Sequence, residues 1–299
     1  MEVDWLNVWV RFALYLDLML LFGLPLFALY ALRKDEREAA SARCYSGYAM
    51  MAALIGLVLS VVDMAVVAKA MSGVEGYADL GGDTVAMIAT ETAFGIACFI
   101  RMSALLGGLI ASFALAHRPT LRYRVLVACG AIALATLAWG GHGAMNEGLS
   151  GVAHLLVDIA HLLAGGAWIG ALAGFLMLAR MGVLAVLDRA ARGFASIGTV
   201  IVGTLVTTGA VNYWFIAGMP TLERLTSPYG RILLVKLALF AAMLVMAALN
   251  RYRLSPALVT ASDSGAAVRA LRKSFVVEAL LGVAVLAIVA VLGVQSPEP

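Results

Sequence analysis

Val152-Ala-His154-Leu-Leu-Val-Asp158-Ile-Ala-His161-Leu-Leu-Ala-Gly-Gly-Ala-Trp168-Ile-Gly170-Ala-Leu-Ala-Gly174-Phe-Leu-Met-Leu178 is the stretch that decides the fold. It is apolar for longer than the roughly 20 residues a bilayer crossing requires. It also carries three ionisable side chains in one octet, His154 to His161. At about 100° per residue these three fall within roughly 60° of one another on a helix. Such groups are costly in a membrane and face a bundle interior or a water-filled path. The chain has only 4 histidines; two are in this octet and His142 lies just upstream.

The rest of the chain has the same character. Of 299 residues, 63% are hydrophobic and 13% charged, and the mean hydropathy is +0.97. Repeated apolar runs indicate an all-α, polytopic membrane protein, a bundle of eight transmembrane helices forming a single membrane domain over 1–299. The spans fall at about 8–32, 47–69, 88–115, 125–141, 152–178, 196–218, 231–249 and 274–294. The acidic N-terminus, Met1-Glu-Val-Asp-Trp5, lacks the basic start of a cleavable signal peptide.

Basic residues set the expected orientation. Arg33, Lys34, Arg37 and Arg43 lie in the first loop; Arg118, Arg122 and Arg124 in the third; Arg180, Arg189 and Arg192 in the fifth. Arg251, Arg253, Arg269, Arg272 and Lys273 lie in the seventh, which brings these loops to fifteen of the 21 basic residues. The positive-inside rule places these loops in the cytoplasm and both termini on the outer side. The net charge of +3 is spread over four loops, so nothing points to nucleic acid. Cys44, Cys98 and Cys129 show no pairing pattern, and no disulfide is expected. There is no P-loop and no Ser/His/Asp hydrolase patterning. Enzymatic activity is not expected, with a reductase as the alternative.

Small residues mark close helix packing. Gly166, Gly170 and Gly174 form a doubled GxxxG pattern, which places the histidine helix against a neighbour in the bundle. Arg101, near mid-membrane, needs an acidic partner, and Asp17 is the candidate. Asp63 and Glu91, near the outer ends of their spans, would either pair or extend a cation entrance.

The chemistry of the octet points to a metal ion. His154 lies at the outer end of its helix, Asp158 one turn deeper and His161 about two turns deeper. His142 and Met145 sit in the preceding turn, Gly141-His-Gly-Ala-Met145-Asn-Glu147. Imidazole with thioether suits copper, as Cu(I) or Cu(II). The two span-five histidines stand about 10 Å apart along the axis, so two sites or a relay through Asp158 is easier than one shared ion. His117, beside Arg118 and Pro119, reads as an ordinary interface residue.

The second half resembles the copper resistance protein D (CopD) family of bacterial inner-membrane proteins. The resemblance rests on Gly141-His142-Gly143, the His154–Gly170 segment, Thr208-Gly-Ala-Val-Asn212, Ser227-Pro-Tyr-Gly-Arg231-Ile-Leu-Leu-Val-Lys236 and Ala248-Leu-Asn250-Arg251-Tyr-Arg253. It implies copper handling at the outer face, alongside a small periplasmic copper-binding protein of the CopC type. The positions it carries over are His142, His154 and His161, then Asp158, Asn212 and Lys236. Three readings follow. One is copper uptake or transfer to the cytoplasm. Another is a b-type haem protein or copper reductase, since histidines can ligate haem axially. The third is a non-transporting docking or sensor component for a periplasmic copper carrier.

Overall fold

The computed structural model describes residues 4–39, 43–141, 148–182, 184–219, 221–260 and 264–295. All regular structure among them is helical. Among the described residues, eight helices are long and apolar enough to cross a membrane. They are α1 (Trp5–Ala31), α2 (Arg43–Ser72), α3 (Ala93–Ala114), α4 (Pro119–Ala135), α5 (Gly148–Met181), α6 (Leu184–Ala217), α7 (Pro228–Leu249) and α8 (Ser264–Leu292). This is the expected eight-span bundle of a multi-pass membrane protein.

Several boundaries differ from expectation: α6 begins at Leu184 and α8 at Ser264, well ahead of 196 and 274, and two further differences have a visible local reason. The third span does not begin near residue 88. A separate helix, Gly82–Glu91, ends there, and α3 starts afresh behind Thr92, whose hydroxyl accepts the Gly95 amide at 3.0 Å. Hydropathy alone runs through such a capped break, because Thr92 interrupts the backbone and not the apolar pattern. Glu91 therefore ends the short helix. The seventh span continues as a π-helical turn, Asn250–Leu254, into a further helix, Ser255–Thr260. The π turn falls directly before Pro256, which lacks an amide hydrogen and crowds the carbonyl four residues back.

Successive helices alternate direction, so the bundle has a termini face and a basic-loop face. At the termini face, Arg11 reaches from α1 to the Gly140 carbonyl, and Gly293 beyond α8 lies close to the same guanidinium. The hub of the fold is α1. It packs against α2, α4 and α5, with lesser contacts to α6 and α8, and it buries Leu14, Leu18, Leu21 and Phe27 completely.

α1 and α5 approach each other backbone to backbone. These helices run parallel, with Met19, Gly23 and Phe27 set in step against Gly166, Gly170 and Gly174. A Cβ on Gly23 would strike the Gly166 carbonyl oxygen and lie 2.6 Å from the Gly170 Cα. The expected packing of the doubled GxxxG stretch is thus realised, with α1 as the partner. It fixes α5 between α1 and α6 and so positions the octet.

Candidate functional site

The octet faces α6, and each of its ionisable residues meets one partner there. The His154 ring is buried and stacks on Phe215, with centroids 4.8 Å apart and planes 13° apart. Asp158 Oδ1 accepts from Asn212 Nδ2 at 3.1 Å. His161 Nδ1 lies 2.8 Å from Thr208 Oγ1. Partner numbers fall along α6 as octet numbers rise along α5, as two antiparallel helices in register require.

The tautomer of His161 follows from the next bond along. Thr208 Oγ1 donates its single proton to the Thr204 carbonyl at 2.5 Å. Its oxygen is left to accept from His161 Nδ1–H, which assigns the lone pair to Nε2. That nitrogen is the one a metal would take. A hydroxyl that holds the imidazole this way fixes both ring orientation and tautomer.

Two cations complete the seam. Lys236 of α7 is within electrostatic reach of both Asp158 and His161, and Arg11 of α1 is within reach of Asp158. Tyr15 lies beside Arg11. Residues from α1, α5, α6 and α7 thus converge on one polar line through an apolar bundle. Among the described residues no three of His, Cys, Asp and Glu gather closely enough to hold one ion. The donors are arranged in series along α5 and do not form a cage. His142 and Met145 lie outside the described residues. His117 is exposed at the basic-loop face.

The partner of Arg101 is not Asp17. Arg101 Nη2 binds Asp63 Oδ2 at 2.7 Å, with both side chains buried. Adjacent α2 and α3 bring these residues face to face, whereas Asp17 points to α2 one layer away, its Oδ2 2.8 Å from where a Cβ on Gly56 would stand. Asp63 is therefore neutralised. The small cavity beside it is bounded by two guanidiniums, Arg11 and Arg101, against one carboxylate. Its volume of about 20 Å³ holds a single water. Of the two roles expected for Asp63, pairing is the one realised. Cys44, Cys98 and Cys129 form no disulfide.

Thr208, Arg11 and Tyr15 are absent from the sequence-derived site. Thr208 carried a signal in retrospect: it stands four residues before Asn212, the same rhythm that separates His154 from Asp158 across the interface. Arg11 and Tyr15 carried none, because nothing local reveals that α1 folds back beside α5.

A multi-pass helical bundle with a part-buried His/Asp seam shared by four spans is the class of protein this geometry defines. Comparison with known sequences makes it specific. Residues 1–152 match the family described as "Copper resistance protein D-like, N-terminal domain", and residues 188–292 match "Copper resistance protein D". "Copper resistance protein D" of Pseudomonas syringae pv. tomato is 42% identical over 304 residues, covering 99% of this chain and 98% of that one. "Inner membrane protein YebZ" of Escherichia coli (strain K12) is 27% identical over 263 residues, covering 86% and 87% respectively. No solved structure matches. The chain belongs to the copper resistance protein D family.

Proposed function

We propose that this protein takes copper from the periplasm and passes it across the bacterial inner membrane to the cytoplasm. The observation that carries the reading is the α5–α6 seam: His154, Asp158 and His161 in series on one helical face, with His161 Nε2 assigned as a bare lone pair. Family membership supports copper as the cargo. The positive-inside rule makes the termini face periplasmic, so the ion meets His154 first. His142 and Met145 supply an imidazole and a thioether just ahead of it in sequence, a donor pair suited to receiving copper from a small periplasmic carrier. Asp158 then lies between the two imidazoles, where its charge lowers the cost of a cation in the bilayer.

The test uses purified protein in sealed proteoliposomes. Copper accumulates inside with wild type, and His154→Ala and His161→Ala each reduce both binding and flux, while His117→Ala does neither. Copper binding without flux would make the protein a docking component instead. An intense Soret absorption band in the pure protein would favour the haem or reductase reading.

A further inference from the structure

A second site lies near the basic-loop face, away from the seam. There a cavity of about 270 Å³ opens between α6 and α7. These two helices barely touch, and α5 and α8 form the back wall. Arg251 closes the lower end, its Nη1 donating to the Ala195 carbonyl at 3.3 Å and to Thr199 Oγ1 at 3.0 Å. The open side therefore faces the bilayer.

The walls are aromatic and apolar. Phe175 stacks on Phe275 with centroids 4.9 Å apart, and Phe194 meets Phe175 edge-on. The deep end is polar. Glu278, 2% exposed, accepts from Trp168 Nε1 at 2.9 Å and from Asn250 Nδ2 at 2.8 Å. Asn250 belongs to the π-helical turn, a distortion frequent at functional sites. Its amide group is held by Glu278, and its Oδ1 is buried with no donor among the described residues. A buried acceptor of this kind is completed by a donor from a ligand or a water.

We propose that this cavity binds a membrane-dissolved ring compound of the hydroquinone class, whose hydroxyl donates to Asn250 Oδ1 while its ring lies among Trp168, Phe175 and Phe275. Two features favour it over a phospholipid chain. The polar group is at the deep end, where a lipid would place only its tail. The volume lies just under the roughly 300 Å³ at which pockets begin to hold drug-sized ligands, which suits one substituted ring. A site built to hydrogen-bond a hydroxyl discriminates strongly against an analogue lacking it. Glu278 is a positioning residue here, because it orients the Asn250 amide so that the oxygen points to the ligand. The site does not depend on the copper reading.

Titration of the full-length protein in lipid nanodiscs tests this, with decyl-hydroquinone and its dimethyl ether as the paired probes. We expect saturable binding of the hydroquinone and at least tenfold weaker binding of the ether, which cannot donate. Asn250→Ala should weaken the hydroquinone at least tenfold and bring the two probes together. Ala248→Phe, which fills the cavity, should abolish binding with an unchanged melting temperature. Equal affinity for the two probes in wild type would overturn the proposal, as would absence of saturable binding. So would a phospholipid that stays bound on native mass spectrometry and is not displaced by the probe.

Discussion

Replacing Gly170 by alanine should be the most damaging single methyl addition in this bundle. The built methyl would fall on the Gly23 backbone, and the reciprocal addition at Gly23 lies 2.6 Å from Gly170 Cα and 2.9 Å from Gly170 N. Ordinary contact is 3.4–4 Å, so α1 and α5 would have to part by about 1 Å, a gap that forfeits a quarter to a half of each dispersion contact along the seam. Both sides of the clash are backbone, so no rotamer can relieve it. Overpacking costs typically about 1–3 kcal/mol, and this site should sit at or above the upper end. Two controls separate the mechanism from a general dislike of alanine. At Gly165 the added methyl would meet only the flexible tip of Met19, at 3.3 Å from Cε, and should cost less than about 1 kcal/mol. At Gly203 it would meet nothing within 4 Å and should be neutral or slightly stabilising. Reversible unfolding in mixed micelles measures all three. A Gly170→Ala protein within about 0.5 kcal/mol of wild type, the usual spread for innocuous sites, would refute the backbone-contact argument.

Thr208→Val keeps the shape of the side chain and removes the acceptor of His161 Nδ1–H; copper affinity should fall about 10–100-fold, as loss of an outer-shell partner does. A chelator competition assay that finds wild-type affinity in Thr208→Val but not in His161→Ala would show that the hydroxyl does not set the tautomer. Asp63→Asn strands the buried Arg101 guanidinium and should destabilise the fold by about 3–5 kcal/mol, while Asp17→Asn leaves that pair intact; equal melting temperatures for the two variants would reverse the pairing assigned here. Reporter fusions at Lys34, Arg122, Arg189 and Arg269 should signal cytoplasm and those at Gly82, Glu147 and Glu298 periplasm; a cytoplasmic signal at Gly82 would invert the proposed direction of copper movement.

Much of this architecture is legible in the chain because membrane helices are written in long runs. Every backbone polar group must be satisfied within the span, so hydropathy alone counts the helices. The same rule explains why the octet reads as a site: ionisable groups at helical spacing have nowhere to point but inward. What the runs do not encode is which helix each group meets. Arg101 is a case in point, since depth alone favours Asp17 over Asp63, which lies near the outer end of its span, and only the adjacency of α2 and α3 selects Asp63. The Thr92 cap and the π turn before Pro256 are invisible for a different reason. They alter hydrogen bonding within an apolar stretch without changing its hydropathy.

The parallel contact between α1 and α5 also bears on how the protein is made. α1 leaves the ribosome first, yet its closest partner does not exist until translation has passed Gly148. Through the synthesis of α2, α3 and α4, the flank of α1 bearing Gly23 and Phe27 has no α5 to cover it. α2 and α4 pack on the other sides of α1 in the meantime, so the early intermediate is a bundle of four helices with an open slot. α5 must then slide into that slot sideways from the lipid, bringing His154, Asp158 and His161 with it, before α6 arrives to close the seam. Assembly order therefore makes the octet-bearing helix a late insertion, and a defect in the glycine stripe would surface first as a biogenesis failure, as protein degraded before its bundle is complete.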